Sequence, residues 1–300
     1  MDAPPEKEDV GPYLRIAGML GDIGVHAPRV LEIDRAQGFL LLTDLGSTTY
    51  LEALQDASRA GSLYADALDA LLAIQARGGA HAVSLPPYDE KLLRNEMNLF
   101  PEWLLGRHLQ FSLDRAHVSL LADTFDRLVA SALEQPRVFV HRDYHSRNLM
   151  VGAGEGDLRA NPGVLDFQDA VHGPCTYDLV SLLRDCYIAW PQAEVRRWTE
   201  GFRVRAAAAG IGADVDATCF ERWFDLMGVQ RHLKAIGIFA RLWHRDGKPG
   251  YLADIPRTLN YVIEACARHA DLTAFGEFAD REVRPALEAR VDGPVAAGRA

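Results

Sequence analysis

The chain has 300 residues, 48% of them apolar and 25% charged, which is ordinary for a globular protein and enough for one large or two smaller cores. Its net charge of −10 argues against nonspecific binding to nucleic acid or to an anionic membrane, so an anionic substrate needs a local patch of Lys, Arg or metal. No apolar run approaches the roughly 20 residues that span a bilayer; the opening MDAPPEKEDV has no apolar signal core, and four cysteines without C-x-x-C spacing read as reduced thiols in a cytoplasm.

The stretch PPEKEDVGPYLRIAGMLGDIGV sets acids after a Pro-Pro pair, then Tyr13, Leu14, Ile16, Met19 and Leu20 at helical spacing, predicting a helix that closes near Gly24. PRVLEID and GFLLLTDLG predict two strands joined by a turn around Arg35 to Gly38. STTYLEAL carries a Ser/Thr cap ahead of a helix. In LYADALDALLAIQA, the residues Leu63, Ala67, Leu68, Leu71, Leu72 and Ile74 share one amphipathic face. Residues 89 to 133 keep a helical pattern interrupted at Pro101. The period then shortens: RVFVH, NLMV and GVLDF read as strands, the last two forming a hairpin across the turn-rich GAGEGDLRANP. From DLVSLLRDCYIAW to IPRTLNYVIEACARHA the pattern is helical again, and PALEARVDGPVAAGRA reads as a frayed end. The order predicts an α+β protein, a small mixed lobe on a large helical lobe.

The chemistry concentrates in VFVHRDYHSRNLMV, where charged and amide side chains crowd between two apolar runs. Asn148 enters one strand of the predicted hairpin and Asp166 leaves the other, so pairing brings both to the same end. A carboxylate and an amide oxygen suit Mg²⁺, a hard cation that takes few protein oxygens together with phosphate and water. Asp143 can then orient a hydroxyl and accept its proton as a phosphoryl group transfers. The strings HRDYHSRN and DFQ match the phosphotransfer pattern H-R-D-x-x-x-x-N followed by Asp-Phe. A rival reading takes His141, Asp143 and His145 as zinc ligands of a metal-dependent hydrolase, and leaves Asn148 and VLDF unexplained.

HRDYHSRNLMV with GVLDFQDAVHGPCTYDLVSLLRD resembles the aminoglycoside phosphotransferase and choline kinase superfamily. GFLLLTDLG, NLFPEWLL, QRHLKAIGIFARL, RDGK and YLADIPR resemble its bacterial cell-wall sugar kinases, which phosphorylate N-acetylmuramate and N-acetylglucosamine at the anomeric hydroxyl. The resemblance implies a protein-kinase-like bilobal fold, ATP as donor and Mg²⁺ as cofactor. Asp143 then matches the base, Asn148 and Asp166 the metal ligands, and Asp178 a brace for the catalytic loop, with His141 as structural support. A helix N-cap is the plainer role for Asp178. Leu42, Thr43, Asp44 and Leu45 match the inter-lobe linker whose backbone binds adenine. The implied division is a partial N-terminal lobe and linker over 1–46, a helical lobe with the embedded hairpin over 47–275, and a tail over 276–300. Partners are then an amino sugar and a nucleotide. An aminoglycoside or other small-molecule kinase and a noncatalytic sugar- or nucleotide-binding module stay open.

The first thirty residues show no glycine-rich hairpin to cover phosphates, and Lys7 follows Pro-Pro in a helix-start context where a solvated role is expected. Phosphoryl transfer depends on positioning and electrostatics, so weak activity of this chain by itself is expected. For the acceptor, Asp169 beside the metal aspartate and Arg231, His232 and Lys234 in QRHLK are the choices, since a sugar carboxylate favours a basic partner. Phe100 and Trp103 can stack on a sugar ring, although core packing is the commoner fate of such aromatics.

Overall fold

In the computed structural model, which describes residues 1–4, 6, 8–152 and 162–291, helix α1 (Gly11–Ile23) buries Tyr13, Ile16, Leu20 and Ile23, one stripe at helical spacing. Gly24 closes it with φ 83°, a left-handed conformation that glycine adopts without strain. The acids Glu6, Glu8 and Asp9 stand ahead of the first turn, and Asp9 Oδ1 accepts the Gly11 amide at 2.8 Å. Strands β1 (Val30–Asp34) and β2 (Phe39–Leu42) form the expected antiparallel pair. Then come α2 (Tyr50–Ala53), α3 (Ala60–Arg77), α4 (Gly79–Ala82), α5 (Glu90–Met97), a π-helix (Phe100–His108) and α6 (Arg115–Leu133). The cap read in STTYLEAL is present as a capping box, Thr49 and Glu52 each satisfying the other's backbone amide. Pro101 does not interrupt a helix; it sits in the first turn of the π-helix, where a missing amide hydrogen costs little.

After α6 the chain forms β3 (Arg137–Val140), β4 (Leu149–Met150), β5 (Gly163–Val164) and β6 (Val171–Pro174). The hairpin read in NLMV and GVLDF is the β4–β5 pair, with Leu149 opposite Val164 and Met150 opposite Gly163. Strand β3 pairs antiparallel with β6. Helices α7 (Tyr177–Leu183), α8 (Gln192–Ala208), α9 (Ala217–Asp246), α10 (Ile255–Cys266), α11 (Thr273–Phe278) and α12 (Arg284–Val291) complete the described chain. The helix expected through residue 190 stops at Leu183. The end expected to fray from Pro285 is helical through α12; positions 292–300, positions 153–161 and Lys7 lie outside the described residues.

The chain divides into two interleaved units: Met1–Tyr88 with Gln135–Glu221, and Asp89–Glu134 with Arg222–Ala300. The first holds all three small sheets and packs α1, α3, α7 and α8 around fully buried Ile16, Tyr64, Leu71, Phe139 and Phe167. The second is helical. In it a Cβ at Gly237 of α9 would lie 2.3 Å from the Leu99 carbonyl carbon, so the absence of a side chain permits a backbone-to-backbone approach. Asp225, 1% exposed, accepts two 2.8 Å hydrogen bonds from Arg268 and stands 2.9 Å from His269 Nε2, so its buried charge is matched. No described helix is long and apolar enough to cross a membrane.

Candidate active site

The site lies in the first unit, in the segment that leaves β3 and enters β4. Burial of Val138, Phe139 and Val140 fixes the strand, and the polar residues follow at once. The carboxylate of Asp178, fully buried in the first turn of α7, accepts the backbone amides of His141 at 2.6 Å and Arg142 at 2.9 Å. Thr176 holds the N-cap position, so Asp178 is not the cap; it supports the loop. The bidentate grip coincides with an unusual backbone: Arg142 has φ 78°. A non-glycine residue held there costs on the order of 1–3 kcal/mol, which the surrounding hydrogen bonds must offset. Arg142 Nη1 also reaches the Asp169 carbonyl at 3.4 Å.

His141 is wholly buried, and that burial pushes its pKa down to about 4. The neutral ring accepts the Asp143 amide on Nδ1 at 3.3 Å, which places its proton on Nε2. Tyr144, also buried, donates its hydroxyl to the Ala67 carbonyl at 2.8 Å and ties the loop to α3. The Asp143 carbonyl accepts from the His145 amide at 3.1 Å and from Asn148 Nδ2 at 3.0 Å.

Asn148 and Asp166 meet. The Asn148 Nδ2 group is 3.1 Å from Asp166 Oδ2, and the Leu165 amide donates to the Asn148 carbonyl at 2.9 Å, so the hairpin register aligns the two side chains. Asp166 has φ 62°, a left-handed conformation that Asp tolerates better than most residues. Gln168 Nε2 donates to Asp166 Oδ1 at 2.9 Å. With its nitrogen donating twice, the Asn148 amide has its oxygen left as a ligand. A carboxylate and an amide side chain in contact offer the kind of oxygen donors that a hard divalent cation takes together with phosphate and water.

The zinc reading is corrected. The His145 ring packs edge-on to Tyr187 with centroids 5.4 Å apart, and His141 Nδ1 serves the Asp143 amide. Among the described residues no group of three or more His, Cys, Asp or Glu side chains gathers to hold a metal.

The other positions singled out in the sequence are distributed more widely. The Thr43 amide donates to the Arg29 carbonyl and Thr43 Oγ1 accepts the Arg29 amide, both at 2.9 Å. Asp44 Oδ1 accepts the Gly46 amide, Leu45 is buried, and Leu42 ends β2. Asp169 is exposed. Arg231, His232 and Lys234 belong to the second unit, where all three are buried on α9. There Lys234 Nζ pairs with Glu96 at 3.0 Å and His232 stacks on Tyr261 at 5.0 Å. Phe100 is a core residue against Phe275, and Arg107 lies 5.7 Å over the Trp103 ring. Sequence reasoning missed Ser146, Asp185 and Tyr187. Asp185 accepts the Ser146 amide at 2.9 Å, and its place in an apparently continuous helical run concealed it.

The family model for the phosphotransferase enzyme family matches residues 1–214. The chain belongs to that family. It is 50% identical over 277 residues to the N-acetylmuramate/N-acetylglucosamine kinase of Pseudomonas aeruginosa and 48% identical over 277 residues to that of Pseudomonas putida. Each match covers 92% of this chain and 79% of the relative. Among solved structures, the choline kinase LicA from Streptococcus pneumoniae aligns with a TM-score of 0.56 at 11% identity, covering 89% of this chain and 81% of that one. An identity so low speaks for the fold alone, and it agrees with the α+β class read from the element order. The chain is accordingly a phosphotransferase, as its central motifs led one to expect.

Proposed function

We propose that this chain is a sugar kinase that transfers the terminal phosphoryl group of ATP, with Mg²⁺, to the anomeric hydroxyl of N-acetylmuramate or N-acetylglucosamine. The observation that carries the phosphotransfer part is the 3.1 Å meeting of Asn148 with Asp166, beside a loop whose Asp143 carbonyl is held by the same Asn148 amide. The sugar assignment is supported by the relatives at 48–50% identity, which carry that substrate pair in their names.

In this reading Asp143 orients the acceptor hydroxyl and receives its proton. Asn148 and Asp166 hold Mg²⁺, which supplies positive charge against the phosphates. His141 and Asp178 keep the loop in place. Leu42 to Leu45 offer backbone groups to adenine; since the Thr43 amide is committed to Arg29, the neighbouring positions carry more of that role. Asp169, Arg231, His232 and Lys234 remain the proposed acceptor contacts. Lys234 enters with its charge already matched by Glu96. The division at residue 46 into a small lobe and a helical lobe belongs to the same proposal. Gly11, Gly18 and Gly21 lie in α1, and no glycine-rich turn among the described residues resembles a phosphate-covering loop, so a low rate is proposed for this chain assayed by itself.

The test is phosphate transfer from ATP to N-acetylmuramate, N-acetylglucosamine, an aminoglycoside and choline, with the phosphorylated position read by NMR. The expected product is the anomeric phosphate of an N-acetyl sugar, formed only with a divalent cation. Transfer to the aminoglycoside or choline instead would reassign the acceptor, and sugar binding without transfer would favour a noncatalytic module.

A further inference from the structure

Two carboxylates grip the catalytic loop, one at each end of α7. Asp178, in the first turn, holds the amides of His141 and Arg142. Asp185 stands two residues beyond the last residue of α7 and is 1% exposed. Its Oδ2 accepts both the amide of Ser146, at 2.9 Å, and the Ser146 hydroxyl, while its Oδ1 accepts the Tyr187 amide at 2.9 Å. Ser146 is itself buried, and its carbonyl accepts the Leu51 amide at 3.0 Å. Its amide, hydroxyl and carbonyl are therefore all fixed.

Tyr187 completes the second grip. The His145 ring meets it edge-on, and the Arg147 guanidinium lies 4.5 Å over its face. A cation over an aromatic face contributes on the order of 0.5–2 kcal/mol, more when shielded from water. Tyr187 is buried enough that its hydroxyl pKa is pushed up to about 12. Residues 185–187 thus hold 145, 146 and 147 in succession, and the next residue is Asn148.

We infer that Asp185, acting through Ser146 and assisted by Tyr187, is a positioning residue that sets Asn148 for its metal. The inference rests on the phosphotransfer reading of the site. Its physical core is that α7 is a rigid spacer. The five steps from Asp178 to Leu183, the last residue of α7, correspond to roughly 7.5 Å of helical rise, and carboxylates in the first turn and just past the last residue fix the beginning and the end of one loop. Asp178 fixes the approach to Asp143, and Asp185 fixes the approach to Asn148. The Asn148 side chain then reaches both the Asp143 carbonyl and Asp166 without a search. Groups that orient a metal ligand without touching the metal typically change affinity 10–100-fold when removed.

The experiment compares the full chain with Asp185→Asn, Ser146→Ala and Tyr187→Leu. Two quantities are read: amide hydrogen exchange of the metal-free proteins, and binding of Mn²⁺ in the presence of ADP followed by electron paramagnetic resonance. Exchange is expected to rise at residues 145–148 and not at 141–142, which Asp178 holds. The Mn²⁺ dissociation constant is expected to rise about 10-fold in Asp185→Asn and less in the other two. In turnover, the metal concentration giving half the maximal rate rises in parallel, and excess metal restores the rate, which a general loss of structure would not allow. Should Asp185→Asn fail to fold, Ser146→Ala decides, because it removes one hydroxyl and keeps every backbone bond. Unchanged Mn²⁺ affinity in folded variants overturns the inference alone. Absence of Mn²⁺ binding by the unsubstituted chain contradicts the phosphotransfer reading and overturns the inference with it.

Discussion

Asp143→Asn is expected to lower kcat about 10²–10⁴-fold, the range that a positioned general base contributes, with little change in the unfolding midpoint. The two halves of this expectation have separate causes. Asp143 gives the fold three backbone bonds: its carbonyl accepts from His145 and Asn148, and its amide donates to His141. An asparagine keeps all three bonds and nearly the same volume, but its amide cannot take a proton from an alcohol. Because the lost interaction belongs to the transition state, KM for the acceptor should move little while kcat and kcat/KM fall together. Steady-state kinetics with chemical denaturation of the same preparations checks both. An unchanged kcat removes Asp143 from the role of base.

Asp178→Ala is expected to act on stability as strongly as on rate. The carboxylate is fully buried and accepts two backbone amides, that of buried His141 and that of half-buried Arg142. Each buried donor left without its acceptor costs about 1–3 kcal/mol, so destabilisation on the order of 3 kcal/mol is expected. The left-handed Arg142 backbone loses its restraint at the same time, and Asp143 loses its position. Asp178→Asn retains one accepting oxygen and should recover about half of the lost stability, by the same figure per bond. Denaturant titrations of the three proteins measure the ladder. An alanine variant as stable as the parent would show that the two amides find other acceptors.

The β4–β5 hairpin was legible because two apolar runs bracket polar residues and the second run ends in Asp-Phe, so strand pairing alone brings Asn148 toward Asp166. The end of α7 was not. LVSLLRDCYIAW keeps an apolar rhythm past Leu183, and nothing local marks the stop. The helix ends where Asp185 turns its carboxylate to Ser146, a residue 39 positions earlier. Strand β6 was hidden for a related reason: VHGP looks like a turn, and only pairing with β3 makes it a strand, with Pro174 at its end where no ladder amide is required. QRHLK illustrates the limit for binding residues. A lysine on a helix reads as an available cation until the fold supplies Glu96, 138 residues away in sequence. Local pattern carried the elements and the chemistry of the loop, while the long-range contacts that commit a charge to structure were beyond it.

The central claim is that Asn148 and Asp166 share one divalent ion. Its most direct measure is Mn²⁺ binding to the ADP complex of the unsubstituted chain, of Asn148→Ala and of Asp166→Asn, the last chosen because asparagine accepts the left-handed backbone of position 166. One ion bound by the parent, with affinity lost in both variants while ADP alone still binds, is the result expected here. Undiminished Mn²⁺ binding in either folded variant would contradict the claim.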